Sequence, residues 1–128
     1  MFKLGNKSKK NLYGVDDDLW QVVELALTIT KIDFGIPTDG GLRTAERQNE
    51  LYKLKASKLD GYNKKSYHQT GKAFDVFAYV DGKASWQTKH LYHVATAILA
   101  AASQLGVALE WGGHWSSFVD MPHFQKVN

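Results

Sequence analysis

The stretch Ser66-Tyr67-His68-Gln69-Thr70-Gly71-Lys72-Ala73-Phe74-Asp75 sets a histidine and an aspartate seven positions apart, with two small residues between them. Gly71 and Ala73 let the chain turn back tightly, so that His68 and Asp75 can converge on one ion. A lone His–Asp pair reads equally well as a hydrogen-bonded loop histidine. The full pattern Ser-x-His-x-x-Gly-x-Ala-x-Asp is more demanding, because its fixed positions match by chance on the order of once in a million windows. Near the C-terminus, Asp120-Met121-Pro122-His123 adds a second histidine and another carboxylate. Two imidazoles and one carboxylate can hold zinc with a position left open for water, and a further carboxylate can act on that water. This donor set points to hydrolytic metal chemistry on an amide bond. Asp120 and His123 would face opposite ways in an ideal strand. Pro122 fixes its own φ and restricts Met121, so a local bend can bring both to one side.

Composition narrows the setting. With 128 residues, 44% hydrophobic and 23% charged, the chain suits one domain with one core. It has no cysteine, which excludes disulfides, a thiol nucleophile and a thiolate metal site. Closed structural zinc sites are usually cysteine-rich, so a metal bound by this chain is expected to be catalytic. The net charge of +3 favours an anionic partner without choosing among cell wall, nucleic acid and membrane. The basic residues are scattered, which argues against a nucleic-acid reading surface. No apolar run approaches the ~18 residues of a membrane span. The basic start MFKLGNKSKKNLYG is not followed by the apolar stretch of a secretory signal. A soluble protein made in the cytoplasm is therefore expected.

Residues 1–14 read as a flexible basic arm and residues 15–128 as a single domain. Asp16, Asp17 and Asp18 suit the positive start of a helix that ends near Lys31. Residues 32–36 read as a short strand and Asp39-Gly40-Gly41 as a turn. Thr44 caps a second helix over residues 45–57, and a polar loop follows to residue 67. Residues 73–80 read as one strand, with Phe74, Val76 and Ala78 on one face. Asp81-Gly82 is a turn signal. The longest helix spans residues 88–105, with Leu91, Val94, Ala95, Ile98 and Leu99 toward the core, and Gly106 ends it. Residues 107–111 and 123–127 are strands. The sum is an α+β domain, a small, mainly antiparallel sheet packed with about three helices.

Three patches now carry a family likeness: Gly41-Leu42-Arg43-Thr44 with Gln48, the segment 66–75, and Glu110-Trp111-Gly112-Gly113 running on to Phe118-Val119-Asp120-Met121-Pro122-His123-Phe124. Over about residues 12–126 the sequence resembles the zinc peptidases that include D-alanyl-D-alanine carboxypeptidases and dipeptidases, whose fold is shared by the hedgehog signalling domain. Within that group it is most similar to small phage endolysins that are L-alanyl-D-glutamate peptidases. The resemblance implies a hedgehog/D-Ala-D-Ala peptidase-like fold, with His68, Asp75 and His123 as ligands of one zinc ion and Asp120 as catalytic base. It gives Arg43 a catalytic or substrate-binding role, which its planar fork suits. Gln48 is a candidate substrate hydrogen-bonder, and Ser66 and Gly71 are candidates for supporting the metal-binding loop. No Gly-x-Ser-x-Gly elbow surrounds Ser66, so a serine hydrolase is disfavoured. Tyr67, Trp111, Trp115 and Phe118 are candidate cleft walls. His90 and His93 share a helix face and read as structural. His114 departs from the Asp or Asn that relatives often carry there.

The implied function is cleavage of the L-alanyl–D-glutamate bond in peptidoglycan stem peptides by a monomeric phage or prophage endolysin. A holin would open the membrane so that the enzyme reaches the wall or periplasm. The alternatives are a D-alanyl-D-alanine carboxypeptidase or dipeptidase with the same ligands, and a non-catalytic wall-binding domain of this fold.

Overall fold

The alanine-rich segment forms the spine of the core. In the structure, a computed structural model that describes residues 1–127, helix α4 (Thr88–Leu105) packs against α2 (Asp17–Ile29). Leu91, Val94, Ala95 and Ile98 of α4 meet Leu19, Val22, Val23 and Ala26 of α2, all buried. Full burial of each large aliphatic side chain contributes at most about 1.5–3 kcal/mol. Gly106 adopts φ 70°, the left-handed conformation that ends a helix, and its N–H returns to Ser103 O.

The remaining elements are α1 (Asn6–Leu12), β1 (Asp33–Gly35), α3 (Ala45–Lys53), β2 (Ala73–Asp75), β3 (Phe77–Val80), β4 (Lys83–Ser85), β5 (Leu109–Trp111) and β6 (His123–Lys126). Short 3₁₀ turns lie at Tyr67–Thr70 and Gly112–His114. The described residues thus hold four α-helices and two three-stranded antiparallel sheets, ordered β1-β3-β4 and β2-β6-β5, rather than one sheet and about three helices.

The two sheets explain where the expected strand over residues 73–80 departs. It breaks at Val76, whose N–H donates to Pro122 O at 3.0 Å, and the chain passes from one sheet to the other. The alternation survives the break: Phe74, Val76 and Ala78 are all buried. Asp81 and Gly82 both take positive φ, 52° and 75°, and close a two-residue hairpin onto β4. Strand β4 was not expected, because Lys-Ala-Ser offers no apolar pattern.

The basic start is also corrected. Residues 6–12 are helical, and Leu4 and Leu12 belong to the core. Ser8 Oγ accepts from Ile36 N at 3.0 Å and Asn11 Nδ2 donates to Ile36 O at 2.9 Å, so α1 closes over the end of β1. Two leucines in a lysine-rich stretch are too sparse to show helical period. Helix α3 stops at Lys53, short of residue 57, and Lys55 sits at φ 63°. That turn sends Ser57 back toward the helix.

Candidate active site

Register builds most of the site. Strands β2 and β6 pair so that Asp75 faces His123 and Phe74 faces Phe124. Period-two geometry then sorts the side chains. Phe74 and Phe124 stack at 5.3 Å, and Trp111 stacks on Phe124 at 6.3 Å, on the core face. Asp75, His123, Gln125 and Glu110, which pairs with Gln125, share the opposite face.

His68 comes from the 3₁₀ turn before β2. Ser66 Oγ accepts from His68 N at 3.2 Å, and Gln69 Oε1 accepts from Ser66 N at 2.8 Å, a reciprocal cap. Gly71 ends the turn at φ 72°, and its carbonyl accepts from Asp16 N at 2.9 Å. A Cβ there would lie 2.6 Å from Gly14 O. Ser66 caps the turn and Gly71 closes it.

Asp120 and His123 are brought together by a turn in which His123 N donates to Asp120 O at 3.1 Å. Asp120 N donates to Gly112 O at 3.0 Å, and Trp111 Nε1 donates to Met121 O at 2.6 Å. Gly112 has no room for a Cβ, which would meet the Asp120 carbonyl. The 110–113 patch is therefore the bracket for this turn. Trp111 is buried and forms no cleft wall, unlike Tyr67, Trp115 and Phe118.

The hydrogen bonds select the tautomer that each imidazole takes when neutral. His68 Nδ1 lies 2.9 Å from Gly41 O, which only accepts, so Nδ1 carries the proton and Nε2 is bare. His123 Nε2 lies 2.8 Å from Gln125 Oε1, and Gln125 Nε2 donates to Glu110 Oε1 at 2.8 Å. His123 Nδ1 is therefore bare. The two bare nitrogens are 3.2 Å apart, and Asp75 Oδ1 lies 3.2 and 3.1 Å from them. Three lone pairs so close repel one another without a cation between them. Donors about 2.0–2.1 Å from a tetrahedral ion stand roughly 3.3 Å apart, so this triad fits a zinc-sized ion.

Arg43 backs the triad. Its Nη2 donates to Asp75 Oδ2 at 3.1 Å, Nη1 to Gln48 Oε1 at 3.1 Å and Nε to Asp39 O at 2.8 Å. Gln48 is fully buried, and its Nε2 donates to Ser57 Oγ and Leu59 O, both at 2.9 Å. It lies beneath the cleft, facing inward from α3, so a substrate hydrogen bond from Gln48 is replaced by support of Arg43. The sequence reading missed Gln125 and the relay from it to Glu110. The signal was the spacing His123-x-Gln125, which puts both on one strand face.

The charges interlock. Burial opposes ionisation of Asp75, but His68 and His123 outweigh it and hold the carboxyl far below the usual range. Burial and the like charge of Asp75 raise the pKa of Asp120, only partly offset by the imidazoles and Arg43. Burial also disfavours charge on His123, yet the Asp75 carboxylate 3.1 Å from Nδ1 leaves the pKa raised, because a proton taken up on Nδ1 would meet that oxygen as an ion would. Above the triad opens a cleft of about 670 Å³, lined among others by Arg43, Lys58, Trp115, Phe118 and Asp120. The other histidines stand apart: His90 Nδ1 meets Ser85 Oγ at 2.6 Å, His93 is exposed, and exposed His114 packs on the Trp111 ring at 4.8 Å.

Comparison with known proteins agrees with this architecture. The family model described as phage L-alanyl-D-glutamate peptidase matches residues 1–126. The L-alanyl-D-glutamate peptidase of Escherichia phage T5 is 32% identical over 120 residues, 93% of this chain and 85% of that protein. The peptidoglycan L-alanyl-D-glutamate endopeptidase CwlK of Bacillus subtilis is 31% identical over 98 residues, 68% of this chain and 58% of that protein. The crystal structure of the Serratia marcescens L-Ala D-Glu endopeptidase ChiX is similar at a TM-score of 0.86 and 36% identity, covering 98% of this chain and 90% of that one. With nearly its whole length matched, the chain belongs to the phage L-alanyl-D-glutamate peptidase family.

Proposed function

We propose that this chain is a zinc-dependent peptidoglycan endopeptidase that cleaves the L-alanyl–D-glutamate bond of stem peptides and serves as a phage or prophage endolysin. The observation that carries the reading is the convergence of three bare donor atoms, from His68, Asp75 and His123, in a cleft that Asp120 also lines. Zinc held there supplies a Lewis acid for the scissile carbonyl and lowers the pKa of a water to about 7. Asp120 accepts a proton from the attacking water as its oxygen bonds to the amide carbon. Asp120 then returns the proton to the leaving nitrogen as the C–N bond breaks, giving an alanine carboxylate and a free glutamate amine. Arg43 grips Asp75 Oδ2 and so keeps Oδ1 turned to the ion. Gln125, itself held by Glu110, keeps His123 in the tautomer that offers Nδ1.

Among the described residues no helix is long and apolar enough to cross a membrane. Access to the wall is assigned to a separate permeabilising partner of the holin type, and the enzyme acts as a monomer. Purified peptidoglycan incubated with the zinc-loaded protein should release new glutamate amino termini, and a chelator should stop it. Cleavage that persists under chelation overturns the zinc reading. Products that lack only a terminal alanine overturn the bond assignment in favour of a carboxypeptidase.

A further inference from the structure

The inference deepens the function proposed above and rests on it. A glutamate acylated on its amine and joined onward through one carboxylate keeps the other, a few bonds from the leaving nitrogen. The cleft must therefore seat an anion close to Asp120, the group that protonates that nitrogen. Most charges lining the cleft are already engaged. Asp39 is paired with Arg47 at 2.9 Å, and Arg43 with Asp75 at 3.1 Å. Lys58 and Lys65 also line it, and among the described residues neither has a carboxylate within ion-pairing distance.

Position separates the two lysines. Lys58 Nζ sits 5.2 Å over the Phe118 ring. Phe118 stands two residues before Asp120 and is held at φ 47°, a left-handed conformation that is rare for a bulky residue. A cation over a ring is attracted to its face and keeps N–H groups for a further partner. The ammonium is thereby drawn to the loop that carries Asp120, the side on which the leaving residue must lie. Among the described residues Lys65 makes no such ring contact; it precedes Ser66, at the start of the turn that presents His68.

We propose that Lys58 is a specificity determinant that binds the free carboxylate of the leaving D-glutamate, so that stems with this carboxylate amidated are poorer substrates. The test uses two synthetic stem peptides, identical except for a free or an amidated glutamate carboxylate, and the zinc-loaded enzyme. A partly exposed ion pair of about 1 kcal/mol gives the wild type a preference of about fivefold in kcat/KM for the free acid. Lys58→Gln should bring the ratio close to one, with the larger loss on the free-acid peptide, and Lys58→Arg should keep most of the preference. Lys58 is exposed, so these variants leave the core untouched. Equal cleavage of both peptides by the wild type overturns the assignment and leaves the cleavage reading standing. An equal loss on both peptides in Lys58→Gln also overturns it. A wild type that cuts neither peptide overturns the cleavage reading, and the assignment with it.

Discussion

Asp120 is the carboxylate of the site whose pKa is raised on balance, through burial and the neighbouring charge of Asp75. Replacing it tests proton transfer alone, because it is not one of the three converging donors. Asp120→Asn should lower kcat by about 10²–10⁴-fold with zinc content unchanged, measured by amino-terminus release and metal analysis. Gln125 tests the support of a ligand. Gln125→Ala removes the partner that fixes the His123 tautomer, and should weaken zinc binding about 10–100-fold in competition with a chromophoric chelator. Unchanged affinity would show that the relay to Glu110 does not hold the imidazole. The candidate ligands were legible because their donor chemistry and spacing have few other uses. Gln48 was misread for the opposite reason: a helical glutamine carries no mark of whether it faces substrate or core. Only the turn at Lys55, which returns Ser57 to it, decides that.

At the scale of elements, the 3₁₀ turn of Tyr67–Thr70 depends on one residue without a side chain. Gly71 takes φ 72° against the Gly14 carbonyl, so alanine there meets both a backbone penalty and a close contact. Gly71→Ala should destabilise the fold by about 1–3 kcal/mol in denaturant titration. A loss within a few tenths of a kcal/mol would show that the turn can shift away freely. Elements with strong local signals were readable. Helix α4 begins and ends at the expected residues, since its apolar period and Gly106 agree. Elements made by distant contacts were not. The break at Val76 depends on Pro122, far along the chain, and α1 depends on Ile36, just past β1, which donates to Ser8 and accepts from Asn11.

For the whole molecule, a bound ion would join the turn before β2 to strands β2 and β6, across a chain without a disulfide. Anything that binds only the folded state stabilises it, by about 2.7 kcal/mol at a hundred times Kd. Zinc at that excess should raise Tm by roughly 10 °C in a thermal scan, and chelator should remove the gain. His123→Ala should abolish the shift, and a shift that survives would place the ion elsewhere. The facing of Asp75 and His123 across β2 and β6 has a last consequence. Side chains alternate along a strand, so a slip of one residue would carry one of the pair to the far face. No half-formed arrangement lies between the two registers. A refolded preparation would therefore divide into molecules that work fully and molecules that do not work at all. Its lytic potency per milligram would count the correctly folded fraction, making activity a direct assay of refolding yield.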